Sequence, residues 1–254
     1  MDTPHLFLAF FAFLAGLVDS VVGGGGLIQL PALLVAFPTT SLALLFGTNK
    51  FASVFGTLVA TIRFCRAQPL PVATIVPAAV AAFVFAFLGA QSMSLLDPAI
   101  LRPLVIAALV LVLLYTLFKP DIGGIHAPKL APVRQQLVAG CIGGVLGFYD
   151  GFFGPGTGSF ILFAFVAVLG FDFIRASASA KVLNVATNAA ALAFFIPNGH
   201  VRYDVGVVMA LANVVGSIVG VQLALTKGAK FVRFLFIVVV IALLAKQVHQ
   251  LVWG

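Results

Sequence analysis

The sequence predicts an all-α polytopic membrane protein made of two homologous halves, inverted relative to each other, with about five membrane segments in each half. Three observations lead there. The 254 residues are 62% hydrophobic and 8% charged with a mean hydropathy of +1.21, whereas soluble domains carry about 25% charged residues. Long apolar runs recur along the chain. The chain also repeats itself at one fixed spacing that includes its rare polar residues.

The elements follow in order. Leu6 to Thr40 is apolar but interrupted by Gly23-Gly24-Gly25-Gly26, Pro31 and Pro38, too long for one ordinary span and short for two. Its first part, Leu6 to Leu14, resembles a signal-peptide core, but no basic residue precedes it. Ser41 to Ile62, Pro71 to Leu96 and Pro98 to Phe118 approach or exceed the roughly 20 residues that cross about 30 Å of hydrocarbon. Ile122 to Arg134, containing Gly123, Gly124, Pro128 and Pro132, reads as a linker. GFYDGFFGPGTGSF at Gly147 to Phe160 is a second break, followed by Ser179 to Pro197, Val205 to Leu225 and Phe231 to Ala245. These runs are apolar on every face, unlike alternating barrel strands, and so read as helices. The expected division is a first membrane repeat over 1–121, a linker over 122–134 and a second repeat over 135–254.

Asp150 lies 131 positions after Asp19, and the same spacing relates Gly16 to Gly147, Gly23 to Gly154, Gly25 to Gly156 and Lys50 to Lys181. It continues without a gap through Gly89 and Gly220, Gln91 and Gln222, and Arg102 and Arg233. Two homologous halves account for this. The counterpart of Leu6 to Asp19 is the internal Leu137 to Asp150, which argues against cleavage of the first segment. If the Gly-rich stretch crosses once, basic loop residues divide seven to five between the sides. If it returns, as two tilted helices or a re-entrant hairpin, they divide nine to three, the bias that the positive-inside rule expects. Inverted halves with both termini outside the cytoplasm are therefore preferred.

Irregular backbone is not tolerated in contact with lipid, so both breaks belong inside the protein or beside a watery cavity. A helix starting after each break, near Leu27 or Ser159, would aim free N–H groups and a positive dipole end into that cavity and attract anions. Thr157 and Ser159 add hydroxyls, and Gly23, Gly24, Gly25, Gly26, Gly154, Gly156 and Gly158 leave the backbone bare. Packing of glycines at close helix crossings is the competing reading. Four charges, Asp19, Lys50, Asp150 and Lys181, fall within apolar surroundings and must face the interior, because each costs at least roughly 2.5–3.5 kcal/mol in lipid. They sum to zero. One expectation is simple pairing across the halves, Asp19 with Lys181 and Asp150 with Lys50. The sharper one is that Lys50 and Lys181, with Thr48, Asn49 and Ser179 beside them, attract a small anion that an aspartate releases by proton exchange. Alanine at both lysines should then abolish flux without abolishing assembly.

Asn184, Asn188 and Asn213 either line a pathway or staple helices. Gln91 and Gln222 are expected near membrane edges, the histidines at ends or loops, and Tyr203 and Trp253 at interfaces. Cys65 and Cys141 lack metal or disulfide spacing and are expected to serve packing. No metal site or cofactor is expected. The net charge of +7 reflects basic loops, and no nucleic-acid module is visible. Gly154, Gly156 and Gly158 lack the strand and the Gly-Lys-Ser or Gly-Lys-Thr ending of a phosphate loop. Neither aspartate sits in a GxGD motif, so a membrane-embedded enzyme is disfavoured.

The motifs GLVDSVVGGGGLIQLPALL (Gly16 to Leu34), FGTNK (Phe46 to Lys50), GFYDGFFGPGTGSF and SAKVLN (Ser179 to Asn184) resemble those of the TauE/SafE family of membrane permeases, particularly its YfcA-like branch. The likeness spans nearly the whole chain. It implies a bacterial inner-membrane protein of duplicated architecture, with relatives that move sulfite, organosulfonates, other small sulfur-containing anions or organic acids. The expectation is a secondary transporter of a small anion. A channel, a membrane-embedded enzyme and an assembly factor are the alternatives. The lipid bilayer and the anion are the expected partners, and self-association is left open.

Overall fold

The computed structural model describes residues 3–95 and 129–227. The expected spans Pro98 to Phe118 and Phe231 to Ala245 lie outside the described residues, as do Arg102, Gly123, Gly124, His126, Pro128, Arg233, His249 and Trp253.

Among the described residues all regular structure is helical. The first half contributes α1 (Thr3–Val22), α2 (Gly26–Ala36), α3 (Leu42–Ala67) and α4 (Val72–Ser94). The second contributes α5 (Pro132–Phe152), α6 (Thr157–Ala164), α7 (Phe173–Phe195) and α8 (Tyr203–Lys227), with α6 continuing into a π-helical turn over Phe165–Leu169. Starting positions of three helix pairs, Gly26 and Thr157, Leu42 and Phe173, Val72 and Tyr203, are each 131 residues apart. The spacing seen in the sequence is therefore also the spacing of helix starts.

Among the described residues four helices are long and apolar enough to cross a membrane: Leu42–Ala67, Val72–Ser94, Ile174–Phe195 and Tyr203–Thr226. At about 1.5 Å per residue they match the hydrocarbon thickness. The 11 residues of α2 do not, reaching only about 17 Å. The protein is a multi-pass membrane protein, and its outward faces carry the apolar side chains that lipid requires, among them Val76, Val80, Val84, Val145, Leu211 and Val215.

The most extensive helix contacts join one half to the other: α4 with α5, α1 with α8, α3 with α8, α4 with α7 and α3 with α7. Each of the first four has its counterpart among them, as reciprocal contacts about a twofold axis would give. Small residues permit the approach. A Cβ built on Gly151 of α5 would lie 1.9 Å from the Ala86 carbonyl oxygen of α4, and one on Gly16 of α1 would lie 2.1 Å from the Asn213 carbonyl oxygen of α8. Substituting Gly151→Val should therefore force these helices apart at a cost of about 1–3 kcal/mol. A lowered thermal midpoint of the detergent-solubilised protein is the expected reading, and an unchanged midpoint would contradict this crossing.

Asn213 acts as a staple. Its amide donates to the Ala12 carbonyl at 3.2 Å and to Gln29 Oε1 at 3.0 Å, tying α8 to α1 and α2. Cys65 and Cys141 are exposed and unpaired rather than packed inside. This corrects the expectation that they serve packing: each falls on an outer helix face, where an apolar thiol suits lipid as well as it suits a core. Gln91 and Gln222 are also exposed.

Candidate functional site

Both breaks are glycine turns with left-handed backbone. Gly23 and Gly24 have φ of 76° and 104°, and Gly154 and Gly156 have φ of 90° and 84°, a region that side chains disfavour. The turn after α1 brings α2 back beside it: a Cβ on Gly25 would lie 2.8 Å from Asp19 Cβ and 2.9 Å from the Ala15 carbonyl oxygen. The two breaks touch. A Cβ on Gly23 would meet the Gly158 carbonyl carbon at 2.4 Å, Ser159 donates its hydroxyl to the Gly23 carbonyl at 3.0 Å, and Gly26 faces Pro155.

The four intramembrane charges pair across the halves. Lys50 Nζ stands 2.5 Å from Asp150 Oδ2, and Lys181 Nζ stands 2.7 Å from Asp19 Oδ2. Lys181 also donates to the backbone carbonyl of Asp19. The pairing expectation thus describes the arrangement, and burial explains it: Lys50, Lys181 and Asp150 have side chains 4%, 2% and 6% exposed, so an unpaired charge there would cost several kcal/mol.

A polar cavity of about 40 Å³ remains between the breaks, room for roughly three waters. It is bordered by Asp19, Gly24, Gly25, Gly26, Asn49 and Lys50 from the first half, and by Asp150, Gly154, Gly156, Thr157 and Gly158 from the second. Gly26 and Thr157 open α2 and α6 at the cavity, and first-turn N–H groups of Leu27, Ile28, Gln29 and Thr157 donate back to the carbonyls of Gly24, Gly25 and Gly154. Oδ1 of Asn49 and of Asn184 is buried without a hydrogen-bond partner among the described residues. Buried carboxamides in that state call for a water or a ligand. A larger cavity of about 790 Å³ lies between Pro77 and Phe85 of α4 and Val133 to Phe148 of α5. It is lined almost wholly by apolar groups and carries no charge, whereas Asp19, Lys50 and Asp150 border the small cavity.

Other anticipated residues lie apart from the cavity lining. Thr48 donates to the Leu44 carbonyl at 2.6 Å and accepts the Arg202 backbone N–H at 2.9 Å, which fastens α3 to the start of α8. Ser179 is fully buried, and its hydroxyl has no partner among the described residues. Gly23, Ser159 and Lys181 form the seam behind the cavity. Sequence reasoning missed Ser53 and Thr57, which line the cavity with Asn184 and Asn188. The signal was present. Positions 50, 53 and 57 share one helix face, and Asn184 and Asn188 lie 131 residues after Ser53 and Thr57.

The chain matches the family model described as "Sulfite exporter TauE/SafE" over residues 8–246. It is 36% identical over 255 residues to the "Probable membrane transporter protein ORF9" of Sinorhizobium sp., covering 97% of this chain and 95% of that one. It is 34% identical over 241 residues to a "Probable membrane transporter protein" of Haemophilus influenzae, covering 95% and 93%. It is 35% identical over 244 residues to the "Probable membrane transporter protein YfcA" of Escherichia coli, covering 96% and 89%. No solved structure matches the chain.

Proposed function

The chain belongs to the TauE/SafE family of membrane transporters, and from that membership we propose that it is a secondary transporter of small anions. Sulfur-containing oxyanions, organosulfonates and small organic acids form the proposed cargo class, carried by alternating access between the two repeats. The carrying observation is the polar cavity between the breaks, with the Lys50 ammonium at its edge in an otherwise apolar bundle. Lys50 supplies the attracting charge, and the carboxamides of Asn49 and Asn184 supply hydrogen bonds. Glycine backbone lets the solute approach closely, and Asp150 provides a group that can exchange a proton. The family's described activity as a sulfite exporter supports the sulfur-oxyanion class.

The inverted reading of the halves is part of this proposal. It is supported by α2, which starts alongside Ala15 and Asp19 of α1 and so turns back, and by the reciprocal helix contacts. On this reading the repeats occupy 1–121 and 135–254, the inner membrane of a bacterium holds the protein, and both termini face the periplasm.

Ligand binding to the folded state raises its apparent stability by mass action. Among sulfite, sulfate, thiosulfate, methanesulfonate and acetate, at least one is expected to raise the thermal midpoint of the purified protein, and Lys50→Ala should remove that rise. No shift across the panel would overturn the anion reading.

A further inference from the structure

We propose that the two ion pairs have diverged in role: Lys181–Asp19 is a fixed strut, and Lys50–Asp150 is the exchangeable pair through which one proton and one monoanion enter together. This rests on the anion-transport reading above and assigns its coupling to one half of the site.

The two pairs occupy positions related by the 131-residue spacing, yet their bonding differs. Asp19 has both carboxylate oxygens engaged: Oδ1 accepts the N–H groups of Gly24 and Gly25, each at 3.1 Å, and Oδ2 accepts Lys181 at 2.7 Å. Lys181 is further held by the Asp19 carbonyl and does not border the cavity. Releasing Lys181 would break two hydrogen bonds, and moving the Asp19 carboxylate would break two more to the first break. Asp150 receives Lys50 at Oδ2, and its Oδ1 accepts no hydrogen bond among the described residues. Both Lys50 and Asp150 border the cavity.

The cause is written in the chain. Position 155, the counterpart of Gly24, is proline and has no N–H to offer Asp150. Gly156, the counterpart of Gly25, adopts φ of 84° where Gly25 has −53°, and among the described residues its N–H makes no hydrogen bond to Asp150. Lys50 is therefore the lysine of the two pairs with fewer bonds to lose on changing partner, and a Cβ on Gly154 would sit 3.3 Å from its ammonium nitrogen, a close contact that glycine avoids.

Charge balance fixes the stoichiometry. The four groups sum to zero, and a monoanion entering alone would leave a net negative charge in a low-dielectric interior. With one proton the balance holds: Asp150 takes the proton as a carboxylic acid, Lys50 leaves it for the anion, and the site remains neutral. The groups facing Asp150 are Lys50 on α3, Tyr149 beside it on α5, Asp19 across the cavity on α1, Thr157 on α6, and Asn184 and Asn188 on α7. Tyr149 is engaged in donating to the Pro155 carbonyl at 2.9 Å. No residue of α4 between Val72 and Ser94 titrates.

The test measures binding of methanesulfonate and of nitrate, both singly charged throughout, to purified full-length protein between pH 5 and pH 8. Wild type should bind more tightly as the pH is lowered, about tenfold per pH unit where one proton is taken up with each anion, as linkage requires. Asp150→Asn should bind at pH 8 more tightly than wild type does at that pH, with no pH dependence. Asp19→Asn should keep the pH dependence and lose thermal stability, with Asp19→Glu as its charge-retaining partner variant. Wild-type binding without pH dependence, or pH dependence lost in Asp19→Glu and kept in Asp150→Asn, overturns the divergence and leaves anion transport standing. Absence of binding of either anion to wild type overturns the coupling of a monoanion to Asp150, and together with silence across the five-anion panel it overturns anion transport as well.

Discussion

A disulfide between Gly26→Cys and Pro155→Cys is expected to halt transport when oxidised and to restore it on reduction. A Cβ on Gly26 lies 3.8 Å from Pro155 Cβ, which is the separation typical of disulfides, about 3.8 Å. Gly26 is the first residue of α2 and has no left-handed backbone to strain. The bond would join the first break to the second across the cavity. Alternating access requires those breaks to part and close again as the site changes sides, so a covalent link between them should reduce anion flux in proteoliposomes to that of empty vesicles. Cys65 and Cys141 are exposed and should first be replaced by alanine so that only the engineered pair reacts. Full flux through the oxidised protein would show that the breaks do not separate during transport and would remove the carrier mechanism in favour of a fixed pore.

Lys181→Ala is expected to produce the largest loss of stability of any single substitution in the charged cluster. It takes two hydrogen bonds from Asp19 and leaves a carboxylate without its counter-ion, and breaking a buried pair from one side costs about 3–5 kcal/mol. The thermal midpoint should fall below that of Lys50→Ala, because Lys181 gives up two hydrogen bonds and Lys50 only one. Removing the stranded charge as well, in Lys181→Ala with Asp19→Ala, should recover part of the loss; a double-mutant cycle reads the coupling directly. Equal midpoints for the two lysine variants would contradict the difference in their bonding.

These expectations show how much of the site could be read before the fold was known. The spacing of 131 residues paired Asp19 with Asp150 and Lys50 with Lys181, and electrostatics in an apolar solvent then allowed few partners for each. Ser53 and Thr57 were equally accessible through the same spacing and the helical period, but serine and threonine hydroxyls in membrane helices commonly bond their own backbone, so they carry little signal alone. Thr48 and Ser179 drew notice by adjacency to the lysines in sequence. Each stands two residues before its lysine, about 200° around the helix, which is why neither borders the cavity.

The sequence by itself determined the solvent, the helical class, the family and the presence of two glycine breaks, because composition and repeat are local or one-dimensional properties. Only the tertiary structure decided which residues share the cavity and how the two ion pairs differ. That difference arises from a proline without an N–H at position 155 and from the direction of two neighbouring amides, and hydrogen-bond direction exists only once the helices have packed.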